Sequence, residues 1–231
     1  MCAEGVGAYA ADVRTALGLI RHNRALERLL VAFFVMTLAE YGEWITVLVY
    51  AYKHGGASTA GGVALAQLIP SMLVAPVISA HSARMGPVRL IVLGYVASAL
   101  ALGCCGAGIL LHAPALVVYF SAACFSIALG VGTPLHYSLV PLVVQHPDEL
   151  TAANAATGWC KGAAALVGPL AAGALIGVDG PGLACVGLAG ACAIAPPLAL
   201  VHPLRTSAPD ALDEGGDFAD LLAAAKVIVC I

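Results

Sequence analysis

The chain has little charge. Only 10% of its 231 residues are charged and 61% are hydrophobic, whereas about a quarter of the residues in a soluble domain carry a charge. So few charged side chains cannot cover a surface that faces water, and the apolar excess needs lipid as its solvent. We therefore expect an integral membrane protein whose first partner is the lipid bilayer.

Several functional signatures are also missing. The net charge is −3 and no basic patch is interleaved with aromatics, which excludes a nucleic-acid partner. The eight cysteines form no CxxC pair and no Cys/His cluster with metal-ligand spacing. Nothing resembles a nucleophile elbow, a zinc motif or a phosphate loop. The sequence therefore predicts neither an enzyme nor a bound cofactor or metal.

Six apolar runs are long enough to cross a bilayer as helices, which takes about 20 residues each. They lie at about 29–51, 60–80, 88–111, 115–144, 152–177 and 182–201. We expect the fourth run to break near Thr133-Pro134 and again at Pro141, because proline removes a backbone donor.

The predicted fold is an all-α membrane protein built on a bundle of six transmembrane helices. Its domain organisation is a cytoplasmic segment at 1–28, the helix bundle at 29–204, an acidic cytoplasmic linker at 205–220 and an apolar stretch at 221–231. The last stretch is too short to span. It is expected to be either the start of a seventh helix or an interfacial segment.

The basic residues predict the orientation. With a cytoplasmic amino terminus, seven arginines fall in inside segments and Lys53 alone lies in an outside loop, which is the positive-inside pattern. Both chain ends should then be cytoplasmic. The sequence Leu73–Pro76 is echoed by Leu166–Pro169. Because three spans separate the copies, this echo predicts two inverted three-helix repeats, as is common in secondary transporters.

Two carboxylates lie in the middle of the first span. Glu40 and Glu43 are three residues apart, so they share a helix face. A carboxyl group near the bilayer midplane costs a few kcal/mol and normally faces a bundle interior or a water-filled cavity. The functional interpretation is a proton or cation site or a substrate contact, with Trp44 and Gln67 on the same pathway. The alternative is a structural pair that orients helices.

Lys161 is the one basic residue inside a span, at a depth close to that of Glu40. Each charge alone is expensive in lipid, so we predict that Lys161 pairs with Glu40 or Glu43. A fixed pair would be a structural lock, whereas a pair that opens on protonation would serve coupling. For Gln67 in the second span and for His136 and Tyr137 in the fourth, a hydrogen bond between helices is favoured over a ligand contact.

Two segments carry a family resemblance. The loop SAHSARMGPVRL at 79–90 resembles the cytoplasmic gating loop of the major facilitator superfamily, with Ala83 in place of that family's aspartate. The stretch at 154–173 resembles the family's fifth-helix Gly-Pro motif. The matching residues are Arg84, Gly86 and Arg89 in the loop and Asn154, Gly168, Pro169 and Gly173 in the helix.

A narrower resemblance concerns one branch of that family. AEYGEW at 39–44 and ELTAANAATGW at 149–159 are similar to an actinobacterial-type branch. Members of that branch often carry a cyclic-nucleotide-binding domain after the transporter part. This resemblance implies a bacterial plasma membrane.

The family resemblance implies twelve helices in two six-helix bundles around a central cavity. The chain would be the amino-terminal half or a truncated form, with a second six-helix half in the same or a separate chain. The implied function is secondary active transport of a small solute, coupled to protons through Glu40 or Glu43. The alternative is a non-transporting membrane anchor or sensor bundle. Ala83 favours that alternative, because the family's aspartate joins a charge network that controls opening.

Overall fold

The computed structural model describes residues 18–85 and 87–200. Within these ranges the chain is helical apart from short turns, and no strand is present. The predicted linker at 205–220 and the apolar stretch at 221–231 lie outside the described residues. The helices are α1 (Arg24–Met85), α2 (Pro87–Leu110), α3 (Ala115–Val143), α4 (Pro147–Asp179), α5 (Pro181–Cys192) and α6 (Ala195–Leu200). The all-α prediction is confirmed.

Helix α1 is folded back on itself at Gly56. This residue has φ 72° and ψ −165°, a backbone region that is essentially restricted to glycine. Gln67 donates from Nε2 to Oε1 of Glu43 at 2.8 Å, although a straight helix would separate these residues by about 36 Å. The residues before Gly56 (the first arm) and after it (the second arm) are therefore antiparallel.

Because α1 folds back at Gly56, its two arms count as two separate membrane crossings. Among the described residues, five helical segments are long and apolar enough to span a membrane, and the first of them, Arg24–Val74, contains Gly56. Since each arm of α1 exceeds the roughly 20 residues that one crossing needs, the described part of the chain crosses six times. The turn lies in the Lys53–Gly56 segment, where the apolar pattern places it.

The outer surface of the bundle is apolar. The most exposed large side chains include Leu116 at 81%, Leu111 at 80%, Met72 at 74% and Phe120 at 70%. In water such a surface would be strongly unfavourable. Such a surface is favourable in a bilayer, where lipid tails or apolar neighbouring helices cover it.

The predicted break in the fourth span is wrong. Helix α3 runs without interruption through Pro134 and Pro141. Buried residues continue on both sides of each proline, among them Leu135 and Leu139, so packing against the neighbouring helices holds the backbone helical. A membrane helix tolerates proline where neighbouring helices compensate for the lost hydrogen bond.

Helix α4 begins earlier than the apolar run suggests. Its first residue is Pro147, followed in the first turn by Asp148 and Glu149. Proline suits the first helical position because its missing N–H would have no partner there, and acidic groups are favourable at the positive end of the helix dipole. These polar residues extend the helix beyond the predicted boundary at about 152.

Candidate solute cavity among the spanning helices

A cavity of about 450 Å³ opens between the spanning helices. Both arms of α1, helix α3 and Pro169 of α4 line it. The residues around this space (the central cavity) are Glu40, Tyr41, Glu43, Trp44, Ile45, Gln67, Leu68, Ser71, Phe125, Ser126, Leu129, Gly130, Thr133 and Pro169. Four of the five residues predicted for the substrate and proton pathway, Glu40, Glu43, Trp44 and Gln67, therefore meet at one place.

The deepest polar contact of the cavity joins the two arms of α1. Glu43 is fully buried and Gln67 is 1% exposed, and the Gln67 amide donates to Oε1 of Glu43 at 2.8 Å. The other carboxylate oxygen, Oε2 of Glu43, has no hydrogen-bond partner, and neither has Oε1 of Gln67. Buried polar atoms are rarely left unpaired. The base of the cavity thus holds two hydrogen-bond acceptors that no protein donor satisfies.

Glu40 and Trp44 form a more accessible part of the lining. Both are half-buried, and their i, i+4 spacing places them on the same face of the first arm. Tyr41 and Phe125 add two further aromatic rings. The cavity therefore combines carboxylates with aromatic surfaces, which is the combination that attracts organic cations.

A close crossing of two backbones fixes this region. A Cβ atom built on Gly168 of α4 would lie 2.6 Å from the carbonyl oxygen of Leu38 and 3.2 Å from the backbone nitrogen of Gly42. Only glycine allows helices to approach so closely. The next residue, Pro169, lines the central cavity. The Gly-Pro pair of the fifth-span motif therefore sets how α4 borders the cavity.

No ion pair links Lys161 to the cavity carboxylates, and the prediction of a direct contact is wrong. Lys161 is exposed and does not line the cavity. The crossing explains the separation. Gly168 lies opposite Leu38 and Gly42, so Lys161 lies about 10 Å away along the axis of α4.

The remaining predicted residues belong to the loop and helix motifs, and those that the structure describes are not part of the cavity lining. Arg84 is in the last turn of α1, Gly86 is outside the described residues, and Arg89 is exposed in the first turn of α2. Asn154 and Gly173 are exposed on α4. These positions are part of the loop and helix motifs, but the described structure does not bring them to the cavity.

Sequence reasoning missed the contribution of α3. Ser126, Gly130 and Thr133 line the cavity and follow one another at the i, i+4, i+7 spacing of a helix face. That spacing of small and polar residues within an apolar span was the signal that could have identified them. Ser71 of the second arm is a further hydroxyl that the apolar pattern did not single out.

His136 is held between helices and does not face the cavity. It is fully buried and stacks on Phe33 with ring centroids 4.0 Å apart, and its Nε2 lies 3.4 Å from the hydroxyl oxygen of Thr157. The favoured prediction of a contact between helices is confirmed. In the described ranges no group of three or more histidine, cysteine or acidic residues is arranged to hold a metal.

Six crossings within the described residues, an apolar outer surface and a cavity that holds two carboxylates define an integral, multi-pass membrane protein. Residues 13–228 match the family model of the Major Facilitator Superfamily. Because the match covers nearly the whole chain, the protein belongs to this superfamily and is a transporter of that type. Searches of curated proteins and of solved structures returned no match. The family resemblance is confirmed, while the actinobacterial-type branch and the fusion to a nucleotide-binding domain stay predictions.

Proposed function

We propose that this chain performs secondary active transport of a small solute coupled to protons, with Glu40 and Glu43 as the proton-binding groups. The observation that carries the proposal is the presence of both carboxylates around one cavity within the membrane-spanning helices. Carboxylates in such positions are costly and typically mark proton relays or substrate pathways.

The bundle would work against a second six-helix bundle, from the same or a separate chain. In this arrangement the two bundles rock around a solute held near the membrane midplane. Glu43 is fully closed to solvent, whereas Glu40 is half-buried. We therefore assign the first proton encounter to Glu40 and the deeper binding step to Glu43.

The test uses the full chain in proteoliposomes that contain a pH-sensitive dye. A pH gradient is imposed, and neutral, anionic and cationic organic solutes are added one at a time. We expect at least one solute class to cause proton movement, and Glu40→Gln and Glu43→Gln to abolish it. Glu27→Gln is the matched control, because Glu27 is an exposed carboxylate in the first turn of α1. Equal proton movement in wild type and both cavity variants would exclude proton coupling through these groups.

A non-transporting anchor or sensor is the second candidate, and Ala83 favours it because the family's gating loop has an aspartate there. The same proteoliposomes separate the two functions. A sensor would bind a solute without moving it or any proton. Restoring the carboxylate with Ala83→Asp would then be expected to leave transport at background.

A further inference from the structure

We propose that the central cavity binds protonated organic amines, namely compounds with an ammonium group that retains N–H donors and an aromatic or aliphatic body. This inference rests on the proposed function, since it names the solute class that the cavity would carry. It is drawn from the charge, the hydrogen-bonding capacity and the aromatic content of the residues that line the cavity.

The charges around the cavity have one sign. Glu40 and Glu43 line it, and no lysine, arginine or histidine does so within the described part of the chain. Lys161 is exposed and lies outside the lining. In a low-dielectric site an organic cation is attracted to such a pair, and an anion is repelled. Anionic solutes are therefore excluded.

The base of the cavity has unpaired hydrogen-bond acceptors, and its amide donor is already engaged. When Glu43 is ionised, its Oε2 and Oε1 of Gln67 are buried acceptors without a donor, while the Gln67 amide donor is already engaged at 2.8 Å. Leaving buried acceptors unpaired costs free energy, which a ligand that brings donors recovers. A primary or secondary ammonium has such donors, whereas a quaternary ammonium has the same charge and none.

The rest of the lining accommodates an apolar body. Tyr41, Trp44 and Phe125 present aromatic rings, and Leu68 and Leu129 present aliphatic surface. Aromatic faces attract cations most strongly when water is excluded. The volume of about 450 Å³ falls within the range of ordinary ligand pockets and suits a compound of one ring and a short chain.

The chain provides its own optical reporter for binding. It has two tryptophans, of which Trp44 lines the central cavity and Trp159 lies in a separate groove beside Ile20 and Phe34. In the full-length Trp159→Phe variant all tryptophan fluorescence comes from Trp44. Ligand titrations of this variant in nanodiscs then report occupancy of the cavity without a transport assay.

Three probes of matched shape separate the contributions at about pH 7, where an alkylamine is protonated. They are phenethylammonium, phenethyltrimethylammonium and phenethyl alcohol. We expect saturable binding of phenethylammonium, and dissociation constants at least about tenfold weaker for both analogues. Equal affinity for the alcohol would overturn the cation site, and equal affinity for the quaternary analogue would overturn the requirement for donors.

Carboxylate variants in the same background supply a second test. Glu40→Gln is expected to weaken phenethylammonium binding by about tenfold or more, and Glu27→Gln is expected to leave it unchanged. If Glu40→Gln does not give monodisperse protein, the three-probe comparison still tests whether the cavity binds an ammonium group. That comparison leaves every cavity residue unaltered.

Failure of this inference differs from failure of the proposed function. Proton-driven movement of a neutral or anionic solute, without phenethylammonium binding, would overturn the amine proposal and leave transport intact. Phenethylammonium binding without proton movement for any solute would support the amine site and overturn proton-coupled transport.

Discussion

Lys161 shows how one residue's role depends on the register between helices. Lys161 forms no ion pair with Glu40, because the Gly42–Gly168 crossing holds it along α4 away from the carboxylates. A cation placed in this way opposes a second cation in the cavity. It is therefore expected to tune binding and not to hold the helices together.

Replacing Lys161 with alanine should tighten binding of an ammonium probe. Removing a nearby positive charge strengthens the attraction between the cavity carboxylates and a cation, by about two- to tenfold for charges in a partly screened environment. Fluorescence titration of Trp44 with phenethylammonium measures the change. Lys53→Ala is the control, since Lys53 is exposed near the α1 turn. Weaker binding in Lys161→Ala than in the control would show that Lys161 supports the site.

Gly56 is a second residue whose backbone decides its role. Its positive φ allows the two arms of α1 to pair, and that pairing places Gln67 beside Glu43. Elsewhere in a helix, replacing glycine by alanine reduces the conformational entropy lost on folding. At Gly56 the same change forces a side chain into a strained conformation.

We expect Gly56→Ala to lower the stability of the protein by about 1–3 kcal/mol. The matched control is Gly62→Ala, because Gly62 is helical and a Cβ there meets nothing within 4 Å. That change should be neutral or stabilising by up to about 1 kcal/mol. Thermal unfolding in detergent measures both. A Gly56→Ala protein as stable as the control would contradict the tight turn.

At the scale of helices, the crossing of α1 and α4 determines the shape of the cavity. A Cβ on Gly168 would meet the backbone at Leu38, and a Cβ on Gly42 would lie 2.8 Å from Cδ1 of Leu188 in α5. Three helices therefore meet through two glycines. At Gly168 a larger side chain has no room unless a helix moves, because the nearest atom is backbone, whereas at Gly42 the nearest atom is the end of the Leu188 side chain.

Gly168→Ala should displace α4 from the first arm and destabilise the protein by about 1–3 kcal/mol, the usual cost of overpacking. Because Pro169 lines the cavity, the change should also weaken binding of the ammonium probe. Gly173→Ala on the same helix is the control, since a Cβ there meets nothing within 4 Å. Thermal unfolding measures the stability, and Trp44 titration measures the binding of the probe. Unchanged stability and unchanged binding in Gly168→Ala would mean that the crossing is looser than described.

At the scale of the whole molecule, six crossings determine which turns share a face of the membrane. The turns near Lys53, His112 and Asp179 must lie on one side. Arg21, which precedes the first crossing, and His146, between the fourth and fifth crossings, must lie on the opposite side. Basic residues are favoured on the cytoplasmic side, so the side of Arg21 and His146 should be the cytoplasm.

Cysteines introduced singly at these exposed positions, as Lys53→Cys, His112→Cys, Arg21→Cys and His146→Cys, should report this topology. In intact cells a membrane-impermeant maleimide should label the first two, and label the last two only after the cells are opened. The protein without an introduced cysteine is the control for labelling of the native cysteines. Labelling of Lys53→Cys and Arg21→Cys from the same side would be incompatible with a crossing by the first arm.

The amino-acid sequence by itself determined the surrounding medium, the number of crossings and the presence of Glu40 and Glu43 in the first span. These features depend on local apolar length and on the cost of charge in lipid. The i, i+4 spacing of Glu40 and Trp44 also placed these two side chains on one face of the first span.

Only the tertiary structure decided the Glu43–Gln67 hydrogen bond, the separation of Lys161 from Glu40, the lining contributed by Ser126, Gly130 and Thr133, and the continuity of α3 through its prolines. Each depends on how helices distant in sequence approach and slide along one another. That register is set by close contacts such as Gly42 against Gly168, where small residues let backbones meet. The apolar periodicity along a single span carries no information about the register between spans.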